Sequence, residues 1–414
     1  MHHNIELIST MAAGLVYALI AGYLASCLRL PPLLGYLFAG IAVGPFTPGF
    51  VADAKLAPQL AEIGVILLMF GVGMHFSVRD LLAVRKIAVP GALLQIFAAV
   101  LLTCLVSRLW GWSFGSGLIL GLALSVASTV VLLRALAAEG IMDSEGGRIA
   151  VGWLIVEDLV TVLILVLLPV FAERLGGVSD RNHSADAAKI YPALGICLAK
   201  FAGFVALMLV GGGRVLPWFL KKVIATGARE LFTLAIVAVA IGVGFVASEL
   251  FGLSFALGAF FSGVVVGESD HSDQAAQEMR PLQDAFTALF FVAMGMLFDP
   301  QILVREPVQV LTVLGIIVLG KSMAAFVIII LLRQPISSAL VIAASLAQIG
   351  EFSFILGELG TDIGLFSAEA RSLIVAGALL SIALNPFLLK AVGAICKNAL
   401  DESPAAPEPG TGRH

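Results

Sequence analysis

The amino-acid sequence predicts an all-α polytopic membrane protein of about thirteen transmembrane helices, arranged as two inverted repeats with broken crossing helices. Three observations carry that prediction. Only 13% of the 414 residues are charged while 60% are hydrophobic, and the mean hydropathy is +1.04, where soluble proteins carry about 25% charged residues. Apolar runs of membrane-crossing length recur from end to end, punctuated by charges, glycine and proline. Finally, a glycine-rich segment in the first half returns in the second. The composition excludes a soluble globular enzyme, and the formal charge of −4, spread over loops, gives no basic face for a nucleic acid.

The apolar runs fall into thirteen stretches. The first, 6–28, ends at Arg29; the second, 33–45, opens behind Pro31 and Pro32; the third, 56–77, follows Lys55. The fourth, 87–107, lies between Lys86 and Arg108, the fifth spans 116–138, and the sixth, 149–172, runs from Arg148 to Glu173. The seventh, 190–213, is set between Lys189 and Arg214. It is followed by 230–249 behind Arg229 and by 253–267, short and glycine-rich like the second. The last four are 282–298, 308–332, 336–359 and 370–395, opened by Pro281, Pro307, Pro335 and the segment around Glu369. Residues 396–414, rich in proline and charge, read as a disordered cytoplasmic tail. The N-terminal segment lacks a basic region and a small-residue cleavage site, so the first helix reads as retained.

Counting Lys and Arg in alternate loops sets the orientation. One side collects fifteen: Arg29, Arg79, Arg85, Lys86, Arg134, Arg148, Arg214, Lys221, Lys222, Arg229, Arg280, Arg333, Lys390, Lys397 and Arg413. The other collects seven: Lys55, Arg108, Arg174, Arg181, Lys189, Arg305 and Arg371. The positive-inside rule then puts the N-terminus outside and the C-terminus in the cytoplasm, and the inner (plasma) membrane is the expected location.

The internal repeat is explicit. Leu34–Gly44 aligns with Leu257–Gly267 at six of eleven positions with an offset of 223, and Gly73–Phe76 aligns with Gly295–Phe298 at 222. The offset spans seven helices, an odd number, so the second copy is inverted relative to the first. Repeat one covers about 7–172, a connector helix about 190–213, and repeat two about 230–395. Inverted repeats mark secondary transporters, whose sites lie near the midplane where the repeats meet.

Ionisable groups at that depth are costly and carry functional meaning. Glu157 and Asp158 lie nine to ten residues beyond Arg148, about 15 Å deep at the helical rise. Neighbours in a helix point about 100° apart, so one carboxylate faces a cation path while the other takes a fixed counter-charge. Lys321 stands at matching depth in the eleventh stretch and is the candidate charge partner. Lys200, in the connector outside both repeats, reads as structural. The fifth and twelfth stretches are interrupted by Leu124–Thr129 and Ala347–Glu351, and at the repeat offset Thr129 falls opposite Glu351. Broken helices in corresponding positions offer free carbonyls and amide dipoles to an ion, which nominates Ser125, Ser128, Thr129, Gln348 and Glu351 as cation contacts. Back-bonding to the preceding turn is the alternative for Ser125 and Ser128. The scattered cysteines Cys27, Cys104, Cys197 and Cys396 read as packing residues, and neither the histidines nor any other cluster forms a metal site. No cofactor is expected.

Taken together, Leu34–Gly40, Ala61–Leu68, the Glu157–Asp158 helix, Leu257–Gly263, Leu289–Met296 and Ala347–Phe352 resemble the monovalent cation:proton antiporter-2 family, most nearly its Kef-type potassium/proton antiporter branch. The resemblance implies the sodium/proton antiporter fold, a homodimer, and exchange of a monovalent cation, potassium or sodium, for protons. It assigns ion and proton carriage to Asp158, the preceding acid position to Glu157, and its lysine partner to Lys321. Glu157 departs from the Asp, Asn or Gln of relatives, which bears on stoichiometry. Kef-type relatives often continue into a nucleotide-binding regulatory domain, so a regulatory domain or subunit is an implied partner, and this chain reads as the transport module alone. A Kef-like potassium efflux channel and a sodium-coupled organic-anion symporter are the alternatives on the same fold. An intramembrane enzyme is disfavoured because adjacent acids on one helix diverge.

Overall fold

The computed structural model describes residues 5–47, 56–74, 78–142, 144–177 and 187–401. The described residues are helical, without strands. In chain order they form α1 (Ile5–Cys27), α2 (Pro32–Val43), α3 (Leu56–Met74), α4 (Val78–Leu109), α5 (Phe114–Ser125), α6 (Thr129–Glu139) and α7 (Glu145–Phe171). There follow α8 (Ala187–Ala206), a π turn (Leu207–Gly212), α9 (Gly213–Ile224), α10 (Arg229–Phe251), α11 (Phe255–Gly267) and α12 (Ser272–Met296). The chain continues through α13 (Ile302–Arg305), α14 (Pro307–Gly315), a second π turn (Ile316–Lys321), α15 (Ser322–Leu331), α16 (Ile336–Ser345), α17 (Glu351–Asp362) and α18 (Ala368–Asp401).

Each apolar stretch is occupied by helix. Seven helical segments are long and apolar enough to cross a bilayer unaided, and five apolar helices are shorter. Several boundaries differ from those read in the sequence. α4 begins at Val78 and α12 at Ser272, well before the apolar stretches they contain, because polar helical turns precede the hydrophobic run. α18 continues to Asp401; of the tail, residues 402–414 lie outside the described residues, as do His75 and Phe76 of the second repeat match.

Two packing groups are evident. α1, α2, α3, α10, α11 and α12 pack with one another, and α4 to α7 pack with the second π turn and α15 to α17, which α18 joins to α14. In the first group the short helices are gripped by glycine. A methyl group at Gly40 of α2 would collide with the Val292 carbonyl and Gly295 of α12, and one at Gly263 of α11 would collide with the Phe70 carbonyl and Met74 of α3. Gly73 meets Phe260 in the same way, and Gly295 meets Leu37. Such small-residue contacts replace the missing hydrophobic driving force in lipid by close backbone approach. The second group is held by larger shapes: Trp153 of α7, wholly buried, fills the space over Gly91 of α4, and Gly152 admits Val84.

Candidate functional site

Both interrupted stretches open in the second group, and neither contains a proline at the break. Val126 adopts an extended conformation (φ −94°, ψ 130°) after α5, and Gly350 does so (φ −121°, ψ −168°) before α17. Each break exposes the C-terminal carbonyls of one half-helix and the N-terminal amides of the next. In a bilayer these groups need partners from protein, and the two breaks supply them to each other. The Gln348 side chain accepts from the Ser128 amide at 3.0 Å and donates to the Ser128 carbonyl at 3.1 Å, pairing with both backbone groups of one residue. The Ser128 hydroxyl donates to Glu351 at 3.1 Å. Gly350 is glycine for proximity: a Cβ there would lie 2.6 Å from the Ser128 Cα.

The charged side chains sort by helix polarity. Lys321 is wholly buried; its ammonium donates to the Gln348 carbonyl at 2.9 Å and to the Leu124 carbonyl at 3.4 Å. It thus caps the chain at the C-terminal ends of α16 and α5, the negative ends of two helix dipoles. The acids lie at the positive ends. Glu157 accepts from the Ala127 amide at 2.8 Å, Asp158 accepts from Thr129, first residue of α6, at 3.1 Å, and Glu351 opens α17. Lys321 lies in electrostatic range of Glu157 without a direct ion pair. The two direct ion pairs among the described residues are elsewhere, Arg229–Glu278 at 2.6 Å and Arg305–Asp299 at 3.5 Å.

The two neighbouring acids differ in environment. Glu157 has no accessible surface, and its second oxygen meets no hydrogen-bond partner among the described residues. Asp158 retains 5% exposure and, among the described residues, accepts from the Thr129 hydroxyl alone. Three buried carboxyls face one ammonium in this crossing, so neutrality calls for further positive charge, as protons or as a cation. No group of His, Cys, Asp and Glu suited to a resident metal occurs among the described residues.

The eight nominated residues therefore converge with one exception. Ser125 turns its hydroxyl back to the Leu122 carbonyl at 2.8 Å, within its own helix. Lys200 is exposed on α8, its ammonium near Gly252 at the end of α10. Sequence reasoning passed over Gln95, Trp153, Ser353 and Asn385. Gln95 donates to the Ser125 carbonyl at 3.2 Å and accepts from the Trp153 indole at 3.4 Å. Ser353 donates to the Ala123 carbonyl at 2.6 Å and Asn385 to the Ala344 carbonyl at 2.8 Å. Their signal was an uncharged amide, hydroxyl or indole N–H inside an apolar run, weaker than a charge but of the same kind.

Two cavities flank the crossing. One, of about 420 Å³, opens among α3, α11 and α17 and is lined by Glu62, Glu358 and Asp362. The other, of about 360 Å³, is lined by Arg29, Pro31, Val131, Glu139 and Pro386.

Residues 15–394 match the family described as "Sodium/hydrogen exchanger, transmembrane". The chain is 55% identical over 390 residues to the putative cation/proton antiporter YbaL of Escherichia coli, covering 94% of this chain and 69% of that protein. It is 31% identical over 395 residues to K(+) efflux antiporter 4 of Arabidopsis thaliana, covering 95% of this chain and 65% of that longer protein. Among solved structures it is similar to the sodium proton antiporter MjNhaP1 of Methanocaldococcus jannaschii, with a TM-score of 0.74 at 17% identity, covering 94% and 98% of the two chains. That last likeness speaks to the fold.

Proposed function

The chain belongs to the sodium/hydrogen exchanger family, in its monovalent cation:proton antiporter-2 branch, and from that premise we propose that it exchanges potassium or sodium for protons by alternating access, with Asp158 as the carrier. At the coarser level it is a multi-pass membrane transporter that runs cation/proton antiport. The observation that carries the finer reading is the contrast between the adjacent acids. Glu157 is sealed and tied to the Ala127 amide in the field of Lys321, whereas Asp158 is held by one hydroxyl among the described residues and retains 5% exposure.

A bare carboxylate in this setting is strongly disfavoured by desolvation, and either a proton or a dehydrated cation relieves it. The two ligands compete for one site, so a loaded Asp158 crosses in either form and the empty form does not. Thr129, Ser128 and Glu351 supply oxygens on one side of the carboxylate, with Gln348 locking the two breaks in register. Glu157 and Lys321 act as fixed charges that neither load nor leave. The core of α4 to α7 and α14 to α17 then moves against the glycine-gripped group, which opens the site alternately to the cavity at Glu358 and to the cavity at Glu139. The reciprocal glycine contacts of α2 on α12 and α11 on α3 support the two-fold relation of the repeats. A homodimer, an outward N-terminus and placement in the inner membrane complete the reading.

The test is exchange in proteoliposomes. Asp158→Asn is expected to abolish cation-dependent proton movement for potassium, sodium and lithium alike. Exchange retained by that variant removes Asp158 from the carrier role, and currents far above carrier turnover in the unmodified protein identify a channel instead.

A further inference from the structure

A third cavity, of about 720 Å³, lies between α4, α6 and α7. Its rim carries Lys86 and Arg148, both exposed, with Glu145 as the opposing charge. Neither cation makes an ion pair or a side-chain hydrogen bond among the described residues. Its interior is aliphatic, with Leu133, Ile149 and Ile155 on the walls. From Arg148 to Ile155 is seven residues of helix, about 10 Å along the axis. The volume is that of a small-molecule site. A charged rim over a greasy slot of this depth matches an amphiphile better than a soluble anion, which would leave the slot unfilled.

We propose that this cavity holds one anionic phospholipid of the cytoplasmic leaflet, its phosphate between Lys86 and Arg148 and an acyl chain against Leu133 and Ile155. The leaflet follows from the Lys and Arg bias, which puts both rim residues on the cytoplasmic side, where anionic lipids concentrate and basic pockets between helices collect their headgroups. The consequence reaches the carrier helix. The slot is bounded by Gly152 and Ile155 of α7, two turns or less from Glu157 and Asp158, and by Val84 of α4, which packs directly on Gly152. A bound chain therefore braces α4 against α7.

The purified full chain, in zwitterionic detergent, is titrated with phosphatidylglycerol, phosphatidylcholine or inorganic phosphate, and lipid retention is read by native mass spectrometry. The unmodified protein is expected to retain phosphatidylglycerol selectively, and K86Q/R148Q to bind it about thirtyfold more weakly, two surface charges being removed. L133W, which fills the slot and leaves the rim intact, is expected to lose the lipid too. Melting temperatures in lipid-free detergent confirm that the variants fold. Equal loss in K221Q/K222Q, which removes two cations from α9 on the same membrane side, would mean diffuse surface attraction and overturn the site. Displacement of the lipid by millimolar phosphate, or full retention by L133W, would overturn the lipid as occupant.

Discussion

Lys321 shows how one buried charge is made tolerable. Its ammonium lies on two helix-end carbonyls, one from each break, and in range of Glu157. Removing one partner of a buried charge arrangement leaves the other uncompensated, a loss of about 3–5 kcal/mol. Lys321→Met is therefore expected to lower the melting temperature in detergent sharply. Adding Glu157→Gln removes the orphaned charge while keeping an acceptor for the Ala127 amide, so the double variant is expected to recover part of the loss. Additive losses in that cycle would show that Glu157 and Lys321 do not couple. Asp158→Asn, by contrast, removes a carboxylate with one hydroxyl partner and is expected to leave the melting temperature unchanged or raised while exchange disappears. Stability and transport thus separate between adjacent residues of one helix, as measured by thermal unfolding and proteoliposome flux on the same preparations.

At the scale of elements, the breaks were legible because they combine polar residues with short runs inside otherwise apolar stretches, and the repeat offset pairs Thr129 with Glu351. What the sequence could not disclose is the pairing between breaks. Gln348 clasps the Ser128 backbone N–H and C=O across a separation of 220 residues, and no periodicity encodes a contact at that range. The destination of Lys321 was equally hidden: depth alone nominated a carboxylate partner, whereas backbone carbonyls freed by the breaks supply its direct hydrogen bonds. The π turn that ends at Lys321 also left no trace in composition; it shifts the helical register beside a functional group, as such turns often do. The glycine at the crossing gives a direct test. In Gly350→Ala the new methyl presses on the Ser128 backbone, and overpacking of this kind costs about 1–3 kcal/mol. The variant is expected to fold, with a lowered melting temperature, and to exchange slowly because the breaks are spread apart. Unaltered flux would mean that their close approach is not needed for transport.

For the whole molecule, the sparse charge becomes a division of labour. Most charged residues mark loop sides, a few are buried at the crossing, and a third set lines a cavity beside α17. Glu62, Glu358 and Asp362 belong to that last set, gathered from α3 and α17 at a cavity on the side poorer in Lys and Arg. α17 joins the two places, opening at Glu351 in the crossing and closing at Asp362 beside the cavity. Arg371 of α18 lies in electrostatic range of Glu358 and Asp362, so the local field is acid-dominated without being uncompensated. A cleft lined by one sign of charge raises the local concentration of counter-ions, and salt screens that effect within about 10 Å at 0.1 M. Among the described residues no hydrogen bond or ion pair joins these carboxylates to Asp158, so on the proposed mechanism their removal acts on cation capture and leaves the crossing step intact. Glu358→Gln/Asp362→Asn is expected to raise the half-saturating cation concentration several-fold at low ionic strength, with the maximal exchange rate preserved. The difference from the unmodified protein should shrink as an inert salt of impermeant ions is added. A fall in maximal rate at saturating cation, indifferent to salt, would place these acids in the transport step itself and not on its approach.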